Sequence, residues 1–128
     1  MNKDFIYIDG IKFSTKVAIT ELEQSRGLMY KEWPPPIMIF PYKNASVKKF
    51  WMKNTPSPLD IIFCCENKVV SILKGEPFST ALVGPDKPVD LVIELPFGTA
   101  EKNGFHIGSI VRPCYSVESA AKLIKFAC

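Results

Sequence analysis

FWMKNTPSPLDIIFCC, residues 50–65, joins two of the most apolar segments of the chain through a polar link, and its reading sets the fold. Successive side chains of a strand point to opposite faces. If residues 47–54 run as one strand, Phe50, Met52 and Asn54 share one face and Lys49, Trp51 and Lys53 the other. In LDIIFCC, residues 59–65, Asp60 sides with Ile62 and Cys64, while Leu59, Ile61, Phe63 and Cys65 form the opposite face. The link Thr55-Pro56-Ser57-Pro58 is stiff, because each proline removes an amide donor and restricts its predecessor. Lys53, Asn54 and Asp60 are therefore expected near one end of neighbouring strands in a nearly fixed arrangement.

Working outward, FIYI (5–8) and IKFSTKVAI (11–19) flank Asp9-Gly10, a pair that favours a two-residue hairpin turn. Thr20 and Glu23 form a capping box, which predicts a short helix over about 21–29. Trp33-Pro34-Pro35-Pro36 reads as an extended connector into IMIF (37–40). Further strands are expected at VKKFWM (47–52), LDIIFCC (59–65), KVVSIL (68–73), VDLVIEL (89–95) and SIV (109–111), with a turn at Glu66-Asn67. The segment 75–88, with Pro77, Gly84, Pro85 and Pro88, reads as a long surface loop of the kind that forms binding sites. Thr99 to Gly104 reads as one helical turn capped by the threonine. Over 116–128, Val117, Ala120, Ala121, Ile124 and Cys128 share the face of a terminal helix capped by Ser116.

Short strands joined by Gly/Pro turns, with two short helices and an added C-terminal helix, define a mainly β fold: a compact β-sandwich or partly closed barrel. At 128 residues the chain is expected to be a single domain, 1–128. A chain of that size buries roughly two-thirds of its unfolded surface. Hydrophobic content of 47% with 23% charged residues is that of a globular protein in water, and no apolar run approaches the ~18 residues of a bilayer span. The expected location is cytoplasmic, since MNKDFIYIDG has no secretory pattern, and no membrane partner is expected. A net charge of +3 is too mild to argue for nucleic acid, and alternating wet lysines with core aromatics explains Lys48, Lys49 and Lys53 beside Phe50 and Trp51. Four cysteines without a C-x-x-C pair, and a single histidine, His106, give no metal site and no cofactor motif. Adjacent Cys64 and Cys65 fit two small reduced side chains on opposite faces.

A buried asparagine or carboxylate must find a partner. Lys53, Asn54, Asp60 and Glu94 either fix loops within the fold or line a polar cleft, with Arg26 as a supporting group that pairs with Asp60 or Glu94 or binds an anion bidentately. Strand parity leaves both readings open.

Arg26-Gly27-Leu28-Met29, Phe50-Trp51-Met52-Lys53-Asn54-Thr55, Pro58-Leu59-Asp60-Ile61 and Glu94-Leu95-Pro96 with Gly98-Thr99-Ala100-Glu101 and Gly104, in that order, resemble the successive blocks of the uncharacterised ACR family, domain-of-unknown-function family one hundred and ninety-two. The resemblance covers about residues 10–112 and leaves a helical extension over about 116–128. It implies a compact, mainly β domain without an established biochemical activity.

No nucleophile elbow, phosphate-binding loop, dinucleotide fingerprint or zinc motif is present, so a catalytic role ranks behind binding. The leading expectation is a ligand-binding or protein-interaction module using a cleft of Lys53, Asn54, Asp60, Glu94 and Arg26, its partner an unidentified small ligand or protein. The alternatives are a hydrolase with Asp60 and Glu94 as acid and base, which requires both carboxyls to face one substrate, and a purely structural or assembly protein.

Overall fold

The computed structural model describes residues 3–125. Its strands are β1 (Asp4–Ile8), β2 (Ile11–Val17), β3 (Met38–Ser46), β4 (Leu59–Cys65), β5 (Lys68–Gly75), β6 (Val89–Pro96) and β7 (Val111–Cys114), and its helices α1 (Glu21–Arg26), α2 (Thr99–Asn103) and α3 (Val117–Leu123). The strands form one sheet in the order β5-β4-β6-β3-β2-β1-β7, curled into a half-barrel. Pairing is antiparallel except between β2 and β3, where Lys16 and Val17 run parallel to Met38 and Ile39. Both expected tight turns form: Asp9-Gly10 at φ 48° and 81°, and Glu66-Asn67 at φ 50° and 65°. Positive φ at both positions matches the turn twist to that of the strands. At one end the sheet edges meet, where the Val69 amide donates to the Ser109 carbonyl and the Gly108 amide to the Val69 carbonyl, each at 2.9 Å. The fold is thus mainly β and partly closed.

Strand parity sorts the apolar residues into two cores. Ile6, Ile8, Ile39, Ile62, Ile93 and Leu95 face the concave side, with Ala100 of α2 and Ala120 of α3 packed on them. Phe40, Leu59, Ile61, Phe63 and Val92 face outward and are covered by Ala18, Leu28 and Met52. Central strands β4 and β6 are consequently buried on both sides, as a sheet covered on both faces requires.

Asp60 belongs to the concave side, where its Oδ2 accepts from the amides of Gly98 at 3.1 Å and Ala100 at 2.9 Å. These are free donors at the start of α2. Gly98, in the left-handed region, is the N-cap residue, and the Thr99 hydroxyl donates to the Pro96 carbonyl instead, so the expected threonine cap is replaced by a carboxylate from another strand.

Three further expectations are corrected. The segment 47–52 is not a strand of the sheet: β4 already has β5 and β6 as neighbours, so the segment crosses the outer face and makes only the isolated bridge of Phe50 with Val83. Its alternation survives, with Met52 buried and Trp51 and Lys53 exposed. The last strand is β7 rather than 109–111; Ser109 and Ile110 are held instead by Asp9, whose carboxylate accepts from the Ser109 hydroxyl at 2.7 Å and the Ile110 amide at 2.9 Å. In α3, Ser119 and Ala120 are buried while Val117 and Ile124 are exposed, so the helix is turned away from the predicted face; Cys128 lies outside the described residues. Asp4 explains the rotation, since its carboxylate accepts from the Ser116 amide at 2.8 Å and the Ser119 hydroxyl at 3.1 Å.

Removing the acceptor at Asp60 leaves two backbone donors unmatched in a buried place. Asp60→Ala is expected to destabilise the protein by about 1–3 kcal/mol in urea unfolding, with loss of hydrogen-exchange protection centred on Ala100.

Candidate functional site

The outer face of β3, β6 and β4 is covered from two directions. From one comes α1, whose Thr20 side chain accepts from the Glu23 amide at 3.1 Å while Glu23 Oε1 accepts from the Thr20 amide at 2.9 Å. The Thr20 amide, with the Ile19 amide at 3.0 Å from the same oxygen, holds the Glu23 carboxyl below its ordinary pKa. The helix stops at Gly27, at φ 49° and ψ −125°, a conformation open to glycine. Leu28 then turns into the core. From the other side comes the 47–58 segment, joined to the first cover where the Tyr30 amide donates to the Asn54 carbonyl at 2.8 Å and the Ser57 hydroxyl to the Lys31 carbonyl at 3.0 Å.

The covers do not meet completely. Between them lies a cavity of about 570 Å³, walled by Leu28, Met29, Phe40, Phe50, Trp51 and Leu82, the last from the 75–88 loop. Phe50 stands edge to face on Phe40 at 5.0 Å and on Phe63 at 5.9 Å between ring centres. Arg26, Lys48, Lys49 and Lys53 also line the cavity, as does Glu94.

Glu94 is set by the β4 and β6 register, opposite Ile61, and by β3, opposite Met38. It is 4% exposed, and its Oε1 has no hydrogen-bond partner among the described residues, a state shared only with Thr15 Oγ1. Burial disfavours the charged form and pushes its pKa up to about 8. Tyr42, also in the lining, is raised by its own burial and then by the Glu94 charge. A Cβ on Gly27 would lie 3.5 Å from Glu94 Oε1 and 3.5 Å from Phe40 Cζ, so glycine keeps open the space over the carboxyl.

The cations are arranged differently. Lys49 is occupied, 2.5 Å from the Gly84 carbonyl and 2.8 Å from Asp86 Oδ1. Lys48 lies over the Tyr42 ring at 4.1 Å and Lys53 over the Trp51 ring at 5.3 Å. Among the described residues no carboxylate forms an ion pair with Arg26, Lys48 or Lys53.

Of the five residues singled out in the sequence, Arg26, Lys53 and Glu94 come together at this cavity, and Asn54 and Asp60 do not line it. Asn54 takes φ 55° and serves through its backbone carbonyl. Asp60 is opposite Leu95 whereas Glu94 is opposite Ile61, which puts the two carboxyls on opposite faces of the sheet. A shared acid/base site is therefore excluded. Asp60 is also raised by burial, against the lowering effect of the Ala100 and Gly98 amides. The expected pairing of Arg26 with either acid is absent. Gly27, Phe40 and Tyr42 escaped the sequence reading as site residues; the parity of β3, which puts Phe40 and Tyr42 on one face, was the available signal. No group of His, Cys, Asp or Glu among the described residues could hold a metal ion, and none of their helices is long and apolar enough to cross a membrane.

The half-barrel can be placed among known proteins. Residues 5–113 match the model of the family described as uncharacterised ACR, domain of unknown function 192, and the chain belongs to that family. Among solved structures it is similar to a candidate transcription regulator from Sinorhizobium meliloti, with 27% identity, a TM-score of 0.80, and 87% of this chain and 93% of that one covered. It is also similar to a protein of unknown function from Novosphingobium aromaticivorans, with 29% identity, a TM-score of 0.76, and 86% and 83% covered. No curated protein matches it significantly.

The raised pKa of Glu94 has a consequence for stability. A proton held up to about pH 8 in the fold and released near 4.5 on unfolding stabilises the fold fully below 4.5, and the contribution is lost as the pH rises through 8. The difference in unfolding free energy between wild type and Glu94→Gln is expected to move in favour of the variant across that window, by up to about 5 kcal/mol. Urea unfolding of both proteins at several pH values measures it; parallel curves would show that Glu94 titrates normally.

Proposed function

We propose that the chain is a small-ligand-binding module and that its site is the cavity between α1, the 47–58 segment and the outer face of the sheet. The observation that supports this most is the buried Glu94 carboxyl, with an unpartnered Oε1, in the lining of a cavity of about 570 Å³. Cavities of about 300–1,000 Å³ with apolar walls and a few convergent polar groups are the usual form of small-molecule sites. A carboxyl whose only task is to hold the fold is satisfied within it, as Asp60 is. The candidate regulatory role named for the Sinorhizobium relative would suit a ligand-responsive domain, though the reading rests on the cavity alone.

Amide chemical-shift mapping of the full chain against a library of small aromatic and aliphatic acids, amines and amides tests the proposal. Hits are expected to move the amides of Gly27, Leu28, Phe50, Met52 and Thr55 together, and Glu94→Leu, which removes the acceptor, is expected to weaken them at least about fivefold while leaving the spectrum folded, the loss of one buried hydrogen bond. Ligands that bind only elsewhere, or a library with no binder at these amides, would overturn it.

A further inference from the structure

The lining specifies a ligand class, an inference that rests on the reading just given. We infer that the cavity selects small aromatic carboxylic acids carrying an O–H or N–H donor at the end remote from the carboxylate. The donor reaches Glu94, the ring lies among the aromatic walls, and the carboxylate stays at the mouth with Arg26 and Lys53.

Three independent features converge on this class. The first is the sign of the field. Arg26 and Lys53 are exposed and lack carboxylate partners among the described residues, Lys48 adds a third unneutralised charge, and the acid beneath them is one that burial keeps largely protonated at neutral pH. An anion entering this mouth meets attraction, and a cation meets repulsion before it reaches the floor. Arg26 adds a planar fork suited to two carboxylate oxygens.

The second feature is the shape and chemistry of the walls. Phe40, Phe50 and Trp51, with Leu28 and Met29, offer ring edges and apolar surface rather than polar groups. The edge-to-face contacts of Phe50 with Phe40 and Phe63 leave a lining into which another ring fits in the same way.

The third is the need at the floor. Glu94 Oε1 lacks a partner, and Gly27 keeps a side chain from filling the space above it. A ligand hydroxyl or N–H supplies the missing hydrogen to either protonation state of the carboxyl, since each retains acceptor capacity. A ligand with no donor leaves that oxygen buried and unmatched, which is how sites built on buried polar groups reject analogues.

Four probes separate these features: para-hydroxyphenylacetate, which has both ends; phenylacetate, which lacks the ring donor; para-hydroxyphenylacetamide, which lacks the charge; and tyramine, which reverses it. Titration of the full chain, followed at the amides of Gly27, Leu28, Phe50 and Thr55, is expected to give the tightest binding for para-hydroxyphenylacetate. Phenylacetate and the amide should each be weaker by roughly tenfold, with no saturable binding of tyramine. The double variant R26A/K53A, altered only at exposed positions, is expected to bind the acid and the amide equally, and E94L, which has no acceptor, to bind para-hydroxyphenylacetate and phenylacetate more nearly alike. If the amide or tyramine binds these residues as tightly as the acid, the ligand class is overturned while the binding-module reading stands. Should none of the four move these amides, the class fails, and the wider library then decides separately whether the cavity binds anything.

Discussion

The pairing of β4 with β6, in which Asp60 stands opposite Leu95 and Ile61 opposite Glu94, is the constraint on which the other features depend. Because the side-chain period of a strand is two, this register decides which residues face the concave core and which face outward, and a slip of one residue would exchange them all. Both faces of the two strands are apolar, so the register is specified twice over. The two acids, neighbours across the ladder by one step, are thereby sent to opposite sides. One meets the free amides of α2 and is satisfied; the other meets a gap.

The gap follows from how the outer face is covered. The layer over β3, β6 and β4 is made from a six-residue helix and two irregular segments rather than from a second sheet or a long helix. Such pieces are held at points: Tyr30 on Asn54, Ser57 on Lys31, Phe50 on Val83. Gly84 allows an approach to the Lys48 carbonyl that any side chain would block, which draws the 75–88 loop onto the same layer. Pro56 and Pro58 keep the link into β4 from adjusting to close the space. A cover pinned at separated points over a rigid sheet leaves a cavity where no pin stands, and Glu94 lies beneath it.

Much of this was legible in the residues. Hairpin turns at Asp9-Gly10 and Glu66-Asn67, the capping box at Thr20 and the siding of Asp60 with Ile62 and Cys64 rest on local chemistry or on parity, both of which a sequence carries directly, whereas the placing of Asp60 and Glu94 in one cleft is undone by the ladder between their strands. The errors arose where a distant element decided the outcome. VKKFWM has the alternation of a strand, but alternation states only that one side is buried, and the free sheet edge that would make it a strand was already used. Thr99 has the chemistry of a cap, but Asp60, 38 residues from Gly98 in the chain, reaches those amides first. The face of α3 is set by Asp4, at the other end of the described chain. The site was half visible for the same reason: Arg26, Lys53 and Glu94 announce themselves as charges, whereas Phe40, Tyr42 and Gly27 read as ordinary core and turn residues until the two covers are seen to stop short of each other.

Asp60 and Glu94 together form an internal comparison. They sit at adjacent ladder positions, with similar burial at 6% and 4% exposure, and both have carboxyls raised by desolvation. Amide hydrogen bonds oppose that rise at Asp60, and nothing comparable acts on Glu94. The fold therefore has the means to satisfy a carboxyl at this depth, and the basic groups that could do so for Glu94 line the same cavity. That Arg26 and Lys53 line the cavity without pairing with it leaves unneutralised charge at the surface and an unmatched carboxyl oxygen beneath, at a cost in stability. Sites that bind ligands are commonly made at such a cost, because groups already satisfied by the protein have nothing left to offer a guest.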